Sequence, residues 1–544
     1  MLKNKGLLLT AIMLLVLIVT AIGCAAPAVT PAPTAPAPKA TTPTATTPAV
    51  KPTPTTGPQS GGILKIIFDP ATEVATNLGY PAEKAQPGDQ RLRAPAVETL
   101  VYQDPKQKFM VVPMLASSFE YSKDYKTLTF KLRQGVKFHD GTDFNAEAAK
   151  YVLEETRKSP SMGPNMAPCS SIDVVDNYTL RLNAKTVFDP SFLINMATYN
   201  SAMVSPTALK TRTREQNLYT PIGTGAFKVA SFQRDVSMKF ERFDGYWGGK
   251  PYLDGIEYIF IADSMTRMAS FKKGEAQVLG DLLGKDLADM ATAGYKINES
   301  WGGSIGIAFD SKDPKSPFAN IKVRQAVAHA IDIPSLCKIL GFGTWAYCNQ
   351  IYPPVSPAFN PAVAGYPYNP AKAKELILQA GYSSGISTEL TSPDTGARKN
   401  LYTAIQNSLK DVGITVKLNM TDRGTTTGLL TKGWSGLIDG LFMGSQPSGE
   451  IAQPVTNTLS RTGGYHVSTF FPEDYDAKVK VAVQELDVTK RVALFQELSK
   501  IIIDQYCIVV PIFAQASGAA YSSAAHTDMQ LAMGWRPETN WLSK

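Results

Sequence analysis

The chain has 544 residues, of which 44% are hydrophobic, 19% charged and 9% aromatic. Its formal charge of +7, from 54 basic and 47 acidic residues, is mild for this length and demands no nucleic-acid partner. The composition excludes a polytopic membrane protein, a collagen and a fully disordered chain; five cysteines exclude a disulfide-dense scaffold. The length predicts two or more lobes, because single cores stop growing near roughly 250–300 residues.

Residues 1–23 read as an export signal. Lys3 and Lys5 form the positive start, and Leu7 to Ile22 is apolar apart from two threonines, short for a spanning helix. The segment ends in Ala21-Ile22-Gly23-Cys24. Small residues before a cysteine at this point resemble the lipobox of bacterial lipoproteins, which implies cleavage before Cys24 and a lipid on its sulfur. Loss of the two lysines takes the formal charge from +7 to +5.

Residues 24–60 read as a tether. From residue 25 on, 10 of 36 residues are Pro, 10 Thr and 9 Ala, and none is acidic. Such a segment cannot bury enough apolar surface to offset its ordering entropy, and dense proline favours extended polyproline II. It could hold a body up to roughly 100 Å from its anchor.

The body begins at Gly61. Gly62 to Phe68 reads as a buried strand, and Leu128 to Arg133 as a half-buried one. Gln134-Gly135 and Asp140-Gly141 are turns. Asn145 to Leu153 reads as a helix with Asn145 as N-cap. Further helices are expected over Asn320 to Ile331, from Asn369-Pro370 to Gly381, over Lys399 to Val412 and over Thr489 to Ile503. Ile414 to Leu418 and Ile508 to Phe513 read as strands. The mixture predicts an α/β body.

Gly302-Gly303-Ser304-Ile305-Gly306 matches G-x-S-x-G, so a serine hydrolase using Ser304 is one alternative. That elbow needs a strand before it and a helix after it, and here Ile305 to Phe309 reads as strand. Gly341-Phe342-Gly343-Thr344-Trp345-Ala346 mimics a dinucleotide loop but follows a helix, the wrong order. The histidines are His139, His329, His466 and His526; none has metal-ligand spacing, and no metal or cofactor is expected. His139 reads as fold-supporting, and Trp247 as structural. Cys337 and Cys348 stand 11 apart around a Gly-rich loop, open to a local disulfide or to two buried thiols.

The run Thr127-Leu128-Thr129-Phe130-Lys131-Leu132-Arg133-Gln134-Gly135-Val136-Lys137-Phe138-His139-Asp140-Gly141-Thr142 resembles the signature of the bacterial extracellular solute-binding proteins, family 5. Four further blocks resemble that family in order. They are Pro221-Ile222-Gly223-Thr224-Gly225-Ala226-Phe227-Lys228, Tyr246 to Asp254, Pro317 to Asp332, and Tyr366 to Tyr382. The resemblance covers roughly residues 60–544. It implies the periplasmic-binding-protein-like, two-lobed α/β fold with an extra inserted domain, of the large peptide-binder class. The expected division is 61–101, 219–305 and 513–544 for the first lobe, 102–218 for the inserted domain, and 306–512 for the second lobe. Chain crossings are expected near Gly306 to Phe309 and Pro511 to Phe513.

The implied function is that of a lipid-anchored receptor, exported to the outer face of the cytoplasmic membrane. It would be a monomer that captures a peptide or other small molecule by cleft closure and delivers it to an ABC permease, with no enzymatic step. Peptide receptors of the family pair the ligand's amino terminus with an acidic residue in a stretch that corresponds to Leu441 to Glu450. That Asp is absent: Gln446 or Ser448 stands near its place, and Glu450 is the candidate substitute. Trp301, Trp434, Tyr199 and Asn200 are further candidate ligand contacts, suited also to an oligosaccharide or a nickel chelate. A surface scaffold or adhesion lipoprotein is the remaining class.

Overall fold

A computed structural model describes residues 57–544, apart from 71–75, 82, 84–86, 108–109, 161, 198–200, 442–450, 528 and 530–534. The expected signal segment, the tether to residue 56 and Cys24 lie outside the described residues.

The body is organised by one long sheet. Its first half contains β1 (Ile63–Phe68), flanked by later strands, and a separate four-stranded antiparallel sheet is inserted after it. The inserted sheet consists of β2 (Ala116–Tyr121), β3 (Thr127–Leu132), β4 (Cys169–Asp176) and β5 (Thr179–Ala184), in the order β2-β3-β5-β4. The helix α1 (Ala146–Lys158) packs on it and starts where the sequence places its cap: Asn145 Oδ1 accepts from the Ala148 amide at 2.9 Å.

The chain then returns to the long sheet through β6 (Phe227–Gln233), β7 (Ser237–Arg242), β8 (Gly255–Phe260) and β9 (Val278–Leu283). β10 (Lys296–Phe309) is 14 residues long and leads into the second half. There α2 (Ile321–Ala330), α3 (Ile333–Leu340), the short β11 (Trp345–Tyr347) and α4 (Pro370–Gln379) precede a parallel layer. That layer comprises β12 (Ile386–Pro393), α5 (Gly396–Asp411), β13 (Ile414–Thr421) and β14 (Leu437–Leu441). After α6 (Val488–Lys500), the long β15 (Val509–Tyr521) runs back alongside β10. The strand order is β6-β7-β8-β1-β9-β15-β10-β14-β12-β13, with β11 on β15.

β1 is parallel to both β8 and β9, and Leu64, Ile66, Ile67 and Phe68 are all buried. This is the continuous apolar run of a strand covered on both faces. One large apolar core gathers β1, β6–β8 and the inserted sheet; others form under α2, α4 and α5 and around α6.

The motif residues are explained by contacts between distant segments. Gly223 and Gly225 pass so close to the chain that a Cβ would meet Ala96 O at 2.0 Å and Pro95 O at 2.5 Å respectively. Between them Thr224 donates to Glu98 at 2.8 Å, as do Tyr246 and Trp247. His139 is tied to the same loop, its amide bonded to Gly223 O and its Nε2 lying 2.9 Å from Gly225 O. Because a carbonyl can only accept, Nε2 carries the proton. Burial holds this imidazole near pKa 4. Arg324, in the fourth block, is buried and donates to the carbonyls of Phe318, Ala319, Tyr506 and Cys507 at 2.7–3.1 Å, fastening α2 to the approach of β15.

Candidate functional site

In open α/β sheets, ligands bind outside the carboxyl ends of the parallel strands. In the second half, β12 pairs in parallel with β13 and β14, so Pro393, Thr421 and Leu441 end on one edge. β14 is antiparallel to β10, with Leu441 opposite Ile305, so β10 enters this half through that edge. In the first half, β1, β8 and β9 run in one direction and end at Phe68, Phe260 and Leu283. β10 runs the same way there, because both it and β9 are antiparallel to β15. The carboxyl ends of both halves therefore face the stretch around Trp301 to Ile305.

The β10–β15 ladder is interrupted at this stretch. Its register shifts between Trp301 and Ser304 and again between Ile305 and Gly306. The breaks begin a few residues earlier than the crossing expected at Gly306. β11 straps the interruption, pairing Trp345, Ala346 and Tyr347 with Gln515, Ala514 and Phe513. The Trp345 ring stacks on Phe513 with 3.8 Å between centroids. Ile512, skipped by the ladder, gives its carbonyl to the Cys348 amide at 3.1 Å and to the Cys337 thiol at 3.7 Å.

Two ion pairs occupy the strand ends in the first half. Arg267 Nη1 lies 3.0 Å from Asp69 and also donates to the carbonyls of Ile261 and Ala262 at 2.8 Å. Asp281, in the left-handed region at φ 55°, accepts from the Asp69 amide at 3.1 Å and lies 3.7 Å from Arg91. In the second half, Asp439 of β14 is buried and paired with Arg398 from the first turn of α5, and Ser392 Oγ donates to its Oδ2 at 3.1 Å. Sequence reading missed these groups. Asp439 carries a signal, as a lone acid inside the apolar run Leu437 to Leu441.

Of the expected contacts, Trp301 reaches the step between the two halves and packs on the small core around Leu279 and Ala516. Trp434 is buried just before the amino end of β14, in the core that also holds Leu430 and Ile438. Tyr199, Asn200, Gln446, Ser448 and Glu450 lie outside the described residues. Cys337 and Cys348 are free thiols here rather than a bridge, both buried, and burial pushes each up to about 12. Ser304 is fully buried in the middle of β10 and donates to Ile351 O at 2.7 Å. A nucleophile elbow needs an exposed hydroxyl between strand and helix, and this serine has neither the exposure nor the helix. A cavity of about 490 Å³ is lined by Ser460, Arg461, Glu473, Asp476 and Lys480, none of them at a strand's carboxyl end. Among the described residues no group of His, Cys, Asp or Glu could hold a metal, and no helix is long and apolar enough to cross a membrane.

Residues 110–448 match the sequence profile of the bacterial extracellular solute-binding proteins, family 5 Middle. The glutathione-binding protein GsiB of Escherichia coli (strain K12) is 34% identical over 320 residues, which cover 57% of this chain and 61% of GsiB. The matched region thus spans about three fifths of that relative. Among solved structures, the ABC transporter substrate-binding protein CtaP of Listeria monocytogenes superposes with a TM-score of 0.77 at 19% identity, over 89% of this chain and all of CtaP. The periplasmic binding protein DppA of Helicobacter pylori, in complex with the peptide STSA, superposes at 0.69 and 22% identity, over 89% of this chain and 99% of DppA. These structures share the two-lobed α/β architecture with its inserted domain. The chain belongs to the bacterial extracellular solute-binding proteins, family 5.

Proposed function

We propose that this solute-binding protein is the receptor of an ABC importer that takes a peptide-like solute. It captures the solute between the two strand-end edges, and closure about the interrupted β10–β15 ribbon presents it to a membrane permease. The observation that carries this reading is the placement of charged groups on both edges, Arg267–Asp69 on one and Arg398–Asp439 on the other, facing the step at Trp301 to Ile305. Polar groups fixed at such a crevice orient a ligand. Glutathione, named for GsiB, and the STSA peptide of DppA share peptide chemistry, which supports the ligand class.

The lobes follow the division 61–101, 219–305 and 513–544; 102–218; and 306–512. Cys24 carries the lipid, residues 24–60 space the body from the membrane surface, and the protein works as a monomer without covalent chemistry on its ligand. Native mass spectrometry of the mature protein tests the reading. A co-purified peptide-like mass, released by denaturation and restored by adding that compound, is the expected result. Failure to bind peptides or glutathione, together with turnover of a substrate, would overturn it.

A further inference from the structure

We propose that Leu283 and Tyr347, one from each half, hold an apolar side chain of the captured solute, with the Gln515 amide taking the peptide group beside it. The proposal rests on the solute-binding reading above and adds the chemical class of one solute side chain. β15 brings the three residues together. β10 holds one edge of that strand, and β9 and β11 share the other edge end to end. Leu283 pairs with Ser517, Trp345 with Gln515 and Tyr347 with Phe513. Residues paired across two strands project from the same face of the sheet, and so do alternate residues of one strand. All six side chains therefore stand on one face, and the stack of Trp345 on Phe513 agrees with this. Leu283 ends β9 in the first half, whereas Trp345 belongs to the core under α2 and α4 in the second. The seam between the halves thus runs between Leu283 and the strap, on the floor of the crevice.

Trp345 and Phe513 are buried, but Leu283 is 45% and Tyr347 42% exposed, and Gln515 is half-buried. The Gln515 side chain makes no hydrogen bond among the described residues. An amide offers two donors and an acceptor, which match the carbonyl and the N–H of a peptide group. Ser517 and Phe513 are four residues apart along β15, roughly 13 Å, so the two exposed groups flank a stretch wide enough for one side chain. Apolar walls with a few convergent polar groups are the make-up of a small-molecule site. An aliphatic or aromatic side chain gains by burial there, and a charged one would be stripped of water between apolar walls. Because one wall belongs to each half, the contact is complete only when both halves meet the solute.

The experiment is calorimetric titration of the full mature protein with glycine tripeptides that carry a single Leu at the first, second or third position, and with the same peptides carrying Ala instead. At one position wild type is expected to bind the Leu peptide about tenfold more tightly than its Ala counterpart. Leu283→Ser and Tyr347→Ser each narrow that ratio to about threefold, and the double variant brings it within about twofold, with the loss falling on the Leu peptide. Gln515→Ala weakens both peptides alike by about fivefold, the worth of one hydrogen bond. Leu283 and Tyr347 are exposed, so the polar replacements leave the cores intact, which thermal melting checks. Three results would overturn the proposal and leave the receptor reading intact. They are no Leu preference at any position in wild type, a preference that survives in the folded double variant, and an equal loss for Leu and Ala peptides, which would assign the two residues to closure. If no tripeptide binds wild type, this proposal fails, and glutathione added to the same sample decides whether the peptide-like reading fails with it.

Discussion

Arg491 Nη2 donates a hydrogen bond of 2.9 Å to Ser191 Oγ, joining positions 300 residues apart. Ser191 lies in the short helix Pro190–Asn195, whose Phe192 belongs to the core of the inserted sheet. Arg491 is buried in α6, with its guanidinium 5.6 Å from the centre of the Phe495 ring. The bond therefore links the inserted domain to the second half. A hydrogen bond to a charged donor contributes about 1.5 kcal/mol or more, and Ser191→Ala is expected to weaken solute binding about tenfold. Titration with a peptide that wild type binds checks this. Unchanged affinity with a lowered melting temperature would assign the contact to folding rather than to closure.

Glu98 sets a pH dependence. Burial raises its pKa from 4.5 to about 7, and the hydrogen bonds from Trp247, Tyr246 and Thr224 recover only part of that cost. A carboxyl whose pKa is raised by folding favours the native state below the unfolded value of 4.5. That stability is lost as pH rises through 7, by about 3 kcal/mol in all. His139 and His466, both held near 4 by burial, act in the opposite sense: their contribution is present above 6.5 and lost as pH falls towards 4. Comparing Glu98→Gln with wild type isolates the first effect. The variant should gain relative stability between pH 5 and pH 8, read as the difference in denaturant midpoints, and a flat difference would refute the assignment.

Ser304→Ala should leave solute binding within about twofold of wild type and cost about 1 kcal/mol of stability, the worth of one hydrogen bond to Ile351 O. Chemical denaturation and ligand titration on the same samples check both. Loss of a hydrolytic activity in this variant would contradict the geometry.

Cys169, Cys337, Cys348 and Cys507 are all free and buried, with pKa values pushed up to about 11 or 12. Thiol reactivity follows the thiolate, so none should react with a disulfide reagent in the native protein at neutral pH. Denatured without reductant, the mature chain should titrate four thiols in addition to any at Cys24. Two fewer would mean that Cys337 and Cys348 had joined.

Much of the fold is legible in the chain because its signals are local. Asn145, Asn320 and Asn369 each cap the helix that the sequence assigns to them, since a side-chain oxygen two or three residues before an amide needs no distant partner. The strand read from Gly62 to Phe68 is β1, and the helix read from Lys399 starts only three residues late. The length of β10 and β15 is not legible. Their alternation is broken by Gly302, Gly303 and Pro511, residues that read as punctuation; the ladder skips the two glycines and, beside Pro511, Ile512. The strand-end site was hidden for a related reason. Arg398 and Asp439 are 41 residues apart, and only the parallel register of β12 and β14 brings them together.

The interrupted ribbon bears on how a solute leaves. Pro511 has no amide hydrogen to donate, and Gly302-Gly303 lie where the register steps, so the spine of the molecule already lacks bonds at its bend. Turning one half against the other would load only the few pairs left between the shifts, Ser304 with Ala514 and Ile305 with Phe513. The work of release then falls on whatever the solute and the facing surfaces hold between them.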